Sequence, residues 1–322
     1  MKVIIVDLKW INSLIKLVQE DKLASIILLF ILGFIAIITY KTNKTVQRIF
    51  NTLTNYIPFI KKEYVMIANF SKKDGNIVEI VNKYLEAGCK VYKLNTNKEF
   101  TDEGTINKQN LEKIIQKQQK IIEKAKRQMK NKNSFIYIGF PHVPLGFLDG
   151  VSFTDVDDPI LYEYQGMDSE CLGKGFFELK RIYNTSLTLV NNISQYESLD
   201  NEMALKIEQS FKISDNDIKK VVNVSQIISF GLENPQRWGI TNYAQIDIYQ
   251  KEFEKVVTEL KNKGVNKIHL FAATPVSLSF SLGRVIKHYH PEVIVYNYNN
   301  GVFDWGINLR NRKVIFVNEM MR

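Results

Sequence analysis

The stretch Ile268–Gly283, IHLFAATPVSLSFSLG, decides the fold. It opens with a short apolar run, which predicts a buried strand. Small residues and Pro275 follow the run, and then comes an apolar segment that ends at a glycine. Proline is common at the start of a helix. The stretch therefore predicts a strand, a tight turn and a helix, as in α/β proteins.

A similar stretch lies 133 residues earlier, at Phe135–Gly150, FIYIGFPHVPLGFLDG. Both stretches have a strand, a turn with proline and a helix with glycine at a matched position. Each is followed by a second proline, Pro159 or Pro291, and by a Tyr-x-Tyr strand. An internal duplication explains this agreement, although two unrelated Rossmann-like units could converge on it.

Strands and helices alternate from residue 64 onward. The predicted strands are 64–69, 90–94, 134–139, 159–164, 203–213, 221–230, 267–272, 292–298 and 313–317. The predicted helices are 75–87, 107–132, a helix beginning at 143, 243–263 and 276–289, with another helix start near Ser214. This alternation predicts an α/β fold with parallel sheets covered on both faces. We divide the region into a first half, 63–195, and a second half, 196–322.

The composition is that of a globular protein, with 45% hydrophobic and 24% charged residues. A net charge of +9 favours anionic partners such as nucleic acid, nucleotides or an anionic membrane, and charge alone does not choose among them. The two cysteines form no CxxC pair, and the sequence contains no HExxH, P-loop or GxSxG motif. We therefore predict no metal, no cofactor and no enzymatic activity.

The N-terminal part contains an uncharged apolar run at 23–40, LASIILLFILGFIAIITY. Its length of about 27 Å as a helix matches the hydrocarbon core of a bilayer. The run predicts a membrane span, since a buried core helix would carry a polar stripe and a signal peptide would lie nearer the start. Residues 3–18 are a second span or an interfacial helix, so we assign 1–45 to the membrane region and 46–62 to a linker.

The charges after the run set its predicted orientation. Lysine and arginine are frequent over residues 41–62, whereas acidic residues offset the basic ones before the run. Positive flanks stay in the cytoplasm. We therefore expect the region from residue 63 onward to lie in the cytoplasm.

Ligands of open parallel sheets bind beyond the carboxyl ends of the strands. Ala273 and Thr274 follow one strand there, and the next helix start suits a phosphate. Phe140 and His142 follow the matching strand and could stack on a base, although packing alone explains such residues equally well. Arg237 and Trp238 are adjacent in a loop; they hold phosphate and base, or Trp238 packs into the core.

Three segments resemble SAVED domains, and the similarity covers roughly residues 64–310. They are IHLFAATPVSLSFSLGRVIKHYHPEVIVYNYN at Ile268–Asn299, EMALKIEQSFKIS at Glu202–Ser214 and the stretch from Phe135 to Gly150. The resemblance implies two fused CARF-like Rossmann units that bind a cyclic di- or trinucleotide. Such domains are sensors in bacterial cyclic-oligonucleotide antiphage systems (CBASS), where a nucleotidyltransferase makes the messenger.

The resemblance also implies how the chain acts. Residues before 63 are too few for a fused enzyme, so the chain looks like the transmembrane-fused type, held in the bacterial inner membrane. Ligand binding would assemble a homo-oligomer, head to tail, and the bilayer would be disrupted or a pore opened. A ring-nuclease-like enzyme that degrades the messenger and a basic membrane tether for nucleic acid, using the lysines of 107–132, remain alternatives.

The resemblance places the ligand at loops of both halves. Phe140 and His142 stand where the second half has Ala273 and Pro275, so the halves are expected to contact the ligand differently. The implied residues are Asn69, Phe70, Ser71, Phe140, Pro141, His142, Gln209, Ser210, Ala273, Thr274, Pro275 and Ser277.

Overall fold

The computed structural model describes residues 64–71, 77–129, 134–156, 158–165, 175–181 and 185–320. All of them belong to one compact unit that runs from Glu63 to Arg322. The predicted membrane run 23–40, the segment 3–18 and the linker 46–62 lie outside the described residues. None of the helices within the described ranges combines the length and the apolarity needed to cross a bilayer.

The first half forms a five-stranded sheet in the order β2-β1-β3-β4-β5. Strands β1 to β4 run parallel, and β5 pairs antiparallel with β4 at the edge. The elements are β1 (Tyr64–Phe70), α1 (Ile77–Glu86), β2 (Lys90–Asn95), α2 (Lys108–Gln128), β3 (Ser134–Phe140), α3 (Val143–Ser152), β4 (Ile160–Gln165) and β5 (Gly175–Glu178).

The second half forms a seven-stranded sheet in the order β12-β11-β10-β9-β7-β8-β6. Its strands are β6 (Val190–Asn191), β7 (Glu202–Glu208), β8 (Ile227–Gly231), β9 (Lys267–Ala273), β10 (Glu292–Asn299), β11 (Val302–Asn308) and β12 (Val314–Phe316). Its helices are α4 (Asp215–Lys219), α5 (Tyr243–Asn262), α6 (Val276–Val285) and α7 (Val317–Met320). Strand β6 lies before residue 196, so this sheet also includes residues of the predicted first half.

The inner order β8-β7-β9-β10-β11 repeats the order β2-β1-β3-β4-β5 of the first sheet. In both sheets the last of these strands is antiparallel to its neighbour. In chain order, helices α2 and α5 both follow the second strand of their half and precede the third. Helices α3 and α6 both lie between the third and fourth strands. The two halves therefore share one topology, as a duplication predicts.

Helices α3 and α6 meet across a local twofold relation. A Cβ atom on Gly150 of α3 would overlap the carbonyl oxygen of Phe280, and a Cβ atom on Gly283 of α6 would overlap that of Phe147. Both pairs are related by the repeat offset of 133 residues. Glycine at these two positions is required because each helix backbone lies directly against the other.

The core is continuous between the two sheets. One apolar cluster contains Phe135 of β3 together with Leu205 of β7 and Trp305 of β11, all nearly inaccessible to solvent. The ring of Tyr137 stacks on Phe280 of α6 with centroids 3.9 Å apart. The halves therefore pack as one body around α3 and α6.

Several predicted boundaries differ from the structure. The helix predicted over 276–289 ends at Val285 because Ile286 is extended. The strand predicted over 203–213 ends at Glu208, whose carboxylate then accepts a hydrogen bond from the Ile213 N–H at 2.7 Å. The strand predicted over 221–230 begins only at Ile227, because the preceding valines pack as a turn after α4.

Candidate functional site

In each half, the loop after the first strand of the repeat touches the loop after the third. The Ser71 N–H donates to the carbonyl oxygen of Phe140 at 3.3 Å. In the second half, the N–H groups of Gln209 and Ser210 both donate to the carbonyl oxygen of Ala273, at 3.3 and 2.9 Å. The structure therefore brings the predicted residues together in two groups, one at the carboxyl edge of each sheet.

Ser71 and His142 form a buried hydrogen-bonded pair. The Ser71 hydroxyl oxygen accepts from the backbone N–H of His142 at 2.7 Å, and the same hydroxyl makes a hydrogen bond of 2.6 Å with Nδ1 of that imidazole. The Phe100 ring stacks on the imidazole at 4.2 Å, and Pro141 is buried beside it.

A cavity of about 340 Å³ opens at this pair and draws on both halves. The side chains of Asn299, the last residue of β10, and of Asn300, in the turn after it, donate to the carbonyl oxygen of Glu103 at 3.2 and 2.9 Å. Neither lysine nor arginine occurs among the described residues that line the cavity. The lining consists of Ser71, Asn97, Phe100, Thr101, Asp102, Glu103, Gly104, His142, Asn299 and Asn300.

Asn69 points away from this cavity into a buried polar network. Its Nδ2 donates to Asp149 at 2.6 Å, and Asp149 also accepts from the Tyr137 hydroxyl at 2.9 Å and from Gln118 Nε2 at 2.6 Å. Burial raises the pKa of Asp149 to about 6, and the three hydrogen bonds oppose that shift. Phe70, its neighbour, is fully buried in the core of the first sheet.

The start of α6 already binds a carboxylate from the first half. Glu163 of β4 accepts hydrogen bonds from the backbone N–H of Ser277 at 3.1 Å and from its hydroxyl. Burial raises the pKa of Glu163 to about 7, against the lowering effect of these bonds. We predicted that the start of this helix would bind a phosphate, but Glu163 already occupies it. The Thr274 hydroxyl forms a hydrogen bond of 2.9 Å with the Ser279 hydroxyl.

An aromatic cluster lies at the carboxyl edge of the first sheet and includes a residue of the second half. Phe140 contacts Tyr164 with ring centroids 4.7 Å apart, and Trp238 approaches Tyr164 edge-on at 6.4 Å. Trp238 is 37% exposed, so it is not packed into the core. Arg237 beside it is exposed and has no ion-pair partner within the described ranges.

The second half presents its own aromatic pair at the matching edge. Phe211 and Tyr298 are 41% and 39% exposed, and their ring centroids are 6.0 Å apart. Sequence reasoning missed Tyr164, Tyr298 and Phe211 as site candidates. The repeated Tyr-x-Tyr pattern was the available signal, because its second tyrosine lies at the carboxyl end of the strand in both halves.

The chemistry of this edge is that of a binding surface with stacking rings and hydrogen-bonding groups. Flat exposed rings stack on nucleobases whatever their sequence. In the part of the chain that the structure describes, no group of three or more His, Cys, Asp or Glu side chains is placed to hold a metal ion.

The fold is similar to solved structures of Cap4 SAVED/CARF-domain-containing receptors. The Acinetobacter baumannii receptor with the cyclic trinucleotide 3'3'3'-cAAA matches with a TM-score of 0.51 and 14% identity, over 81% of this chain and 55% of that chain. The same receptor with 2'3'3'-cAAA matches with a TM-score of 0.48 and 13% identity, over 76% of this chain and 51% of that chain. The Moraxella osloensis receptor matches with a TM-score of 0.43 and 11% identity, over 75% of this chain and 48% of that chain.

The chain thus spans about half the length of these structures. The match to the receptor with 3'3'3'-cAAA, at 14% identity, shows a shared fold and nothing further. No curated protein sequence matches the chain. Residues 117–309 match the family model of the SMODS-associated and fused to various effectors sensor domain, SAVED. Because this match covers more than half of the sequence, the chain belongs to the SAVED family.

Proposed function

We propose that the chain is a membrane-anchored sensor of a cyclic di- or trinucleotide in a bacterial antiphage system of the CBASS type. The observation that carries the proposal is a pair of aromatic clusters, one at the carboxyl edge of each half of a SAVED fold, each with at least one exposed ring. A ring surface at the carboxyl edge of each sheet suits a ligand that carries two or more bases. The similar Acinetobacter baumannii receptor was solved with cyclic trinucleotides, which supports this ligand class.

The bases and the phosphates of the ligand contact different residues at these carboxyl edges. Bases stack on Tyr164 and Trp238 at the carboxyl edge of the first sheet and on Tyr298 at the carboxyl edge of the second sheet. The described lining of the cavity beside His142 is uncharged or acidic, which suits the hydrogen-bonding edge of a base better than a phosphate. Arg237, exposed next to Trp238, is the cation placed to contact a phosphate.

The remaining parts of the proposal follow from the sequence. The run 23–40 anchors the chain in the bacterial inner membrane as a single- or double-pass protein, with the sensor in the cytoplasm. A partner nucleotidyltransferase supplies the messenger. Binding then joins protomers head to tail into a homo-oligomer, and the gathered membrane helices disrupt the bilayer or form a pore. The chain itself catalyses nothing.

Size-exclusion chromatography of the full chain in detergent tests this proposal, with and without a panel of cyclic di- and trinucleotides. One ligand should move the protein to much larger species while the others leave it unchanged. Replacing Trp238 by alanine should raise the ligand concentration needed for the shift by roughly 5- to 150-fold. A ligand that binds without any change in size would contradict assembly, and binding by none of them would contradict the sensor function.

The enzyme alternative has a specific observation in its favour, the Ser71–His142 pair that lines the cavity. A positioned imidazole is the usual general base for activating a hydroxyl. Chromatography of the ligand after long incubation decides between the two functions. Intact recovery supports the sensor, whereas cleavage that disappears in His142→Ala supports the ring-nuclease-like enzyme.

A further inference from the structure

Helix α2 carries an unbroken basic stripe on its solvent face. Its members recur at intervals of three or four residues, and all of them are exposed. At about 100° per residue they fall within an arc of roughly 80° and extend over about 21 Å. The helix's two glutamates, Glu112 and Glu123, fall outside this arc. The stripe consists of Lys113, Lys117, Lys120, Lys124 and Arg127.

The stripe is largely free to bind something else. Lys117 pairs with Glu99 at 2.8 Å, and its side chain remains 56% exposed. The other four members have no ion-pair partner in the part of the chain that the structure describes. With seven basic and two acidic side chains, α2 has a net charge of +5, which is more than half of the +9 of the whole chain.

The duplication provides an internal control for this charge. Helix α5 occupies the same place in the second half and packs on its sheet in the same topology. It contains three basic and four acidic side chains, a net charge of −1, and Lys255 pairs with Glu252 within the helix. The fold therefore does not require a basic solvent face on this helix, and the stripe of α2 calls for a separate explanation.

We propose that the α2 stripe docks the sensor domain on an anionic lipid surface. The stripe follows one straight helix face, contains no aromatic side chain for stacking on bases and lines none of the cavities described above. Such a face suits a flat, diffuse negative charge better than it suits single-stranded nucleic acid, which binds to aromatic and basic grooves.

The proposal rests on the proposed membrane anchoring, which keeps the domain close to the bilayer. Each basic side chain near an anionic surface contributes roughly a fivefold factor in partitioning. The four unpaired members together are therefore sufficient to hold an already tethered domain against the surface. The attraction acts only within about 10 Å at moderate salt, so it should disappear as the salt concentration rises.

Lysine footprinting of the full chain tests the inference directly. The protein is reconstituted into vesicles of phosphatidylcholine, with or without phosphatidylserine, and briefly acetylated with a water-soluble reagent. Mass spectrometry then compares Lys113, Lys120 and Lys124 with the exposed Lys251 and Lys255 of α5. The stripe lysines should react several-fold more slowly when phosphatidylserine is present at low salt, and the α5 lysines should react equally in both.

Two charge-reversal variants distinguish an effect of the stripe from an effect of the net charge. Lys113→Glu, Lys120→Glu and Lys124→Glu in one variant should abolish the protection of the remaining stripe lysine, Lys117, by phosphatidylserine. The matched variant Lys251→Glu, Lys255→Glu and Lys261→Glu changes the net charge equally and should keep the protection of Lys117 that the parent shows.

Three results would overturn the inference: equal acetylation in both lipids, equal loss of Lys117 protection in both variants, or protection of the stripe by added single-stranded RNA but not by phosphatidylserine. The response to cyclic nucleotides is measured on the same vesicles. A chain that responds to its ligand without lipid-dependent protection refutes only the docking surface, and the sensor function then stands.

Discussion

Replacing Gly150 by alanine should push α3 and α6 apart, since the added methyl group would overlap the backbone carbonyl of Phe280. A backbone atom cannot rotate away as a side chain can, so the helices themselves must shift. Overpacking of this kind costs about 1–3 kcal/mol, and alanine in a helix recovers about 0.5–1 kcal/mol relative to glycine. Because the overlap is with a backbone atom, the cost lies in the upper part of the overpacking range, and the expected net loss is about 1–2 kcal/mol.

For a unit of this size, each kcal/mol lowers Tm by about 2–4 °C, so the variant should unfold roughly 2–8 °C below the parent. Gly283→Ala should lose a similar amount, because the repeat places its methyl group against the carbonyl of Phe147. The double variant should lose less than the sum, since one separation of the helices relieves both overlaps. Thermal unfolding of the full chain in detergent, followed by circular dichroism, measures all three.

Gly146→Ala is the matched control on the same helix. Its Cβ would lie 3.2 Å from the Cβ of Ser279, a tight contact that a shift of a few tenths of an ångström relieves. This variant should stay within about 1 kcal/mol of the parent. Unchanged stability in Gly150→Ala, or a strictly additive double variant, would refute the twofold helix contact.

Three further predictions concern stability. Burial raises the pKa of Glu163 from an ordinary 4.5 to about 7, so the folded chain holds a proton that the unfolded chain has lost, and stability should fall by about 1.4 kcal/mol per pH unit across that window. Glu163→Gln cannot titrate, so its free energy of unfolding, measured with denaturant between pH 5 and 7, should change less with pH than that of the parent. An unchanged dependence on pH would contradict this pKa. Tyr137→Phe removes one donor to Asp149 and should cost about 1–2 kcal/mol in urea unfolding, and an unaffected midpoint would argue against the buried network. Gly301→Ala meets no neighbouring atom but has a φ of +90°, so backbone strain alone should cost about 1 kcal/mol; a gain in stability would contradict the turn geometry.

The sequence predicted the parts of the fold that local patterns control. Apolar runs identified the central strands, and the matched prolines and glycines identified the two α/β units. The antiparallel strand β11 was not predicted. Asn300 and Gly301 make a tight turn before it, with φ of 47° and 90°. The strand β5 also escaped, because only its pairing with β4 defines so short an element.

The site was predictable only as far as chain position defines it. The predicted strand ends identified Ser71, His142 and Ala273 as candidates. In the structure Ser71 contacts His142, and Ala273 contacts Gln209 and Ser210. The contact of Trp238 with Tyr164 joins residues of different halves, and no local pattern encodes it. Glu163 was predicted only as part of the strand 159–164, and the packing of β4 against α6 shows that its carboxyl group lies at the start of that helix.

Equilibrium binding of the full chain in detergent to the cyclic di- and trinucleotide panel tests the central claim most directly. Calorimetry would compare the parent with Trp238→Ala at the carboxyl edge and Tyr289→Ala, whose ring is 56% exposed before the amino end of β10. Stacking on a base is worth about 1–3 kcal/mol, so Trp238→Ala should weaken binding roughly 5- to 150-fold, and Tyr289→Ala should leave it unchanged. Binding by no member of the panel, or equal loss in both variants, would contradict a cyclic-oligonucleotide site at this edge.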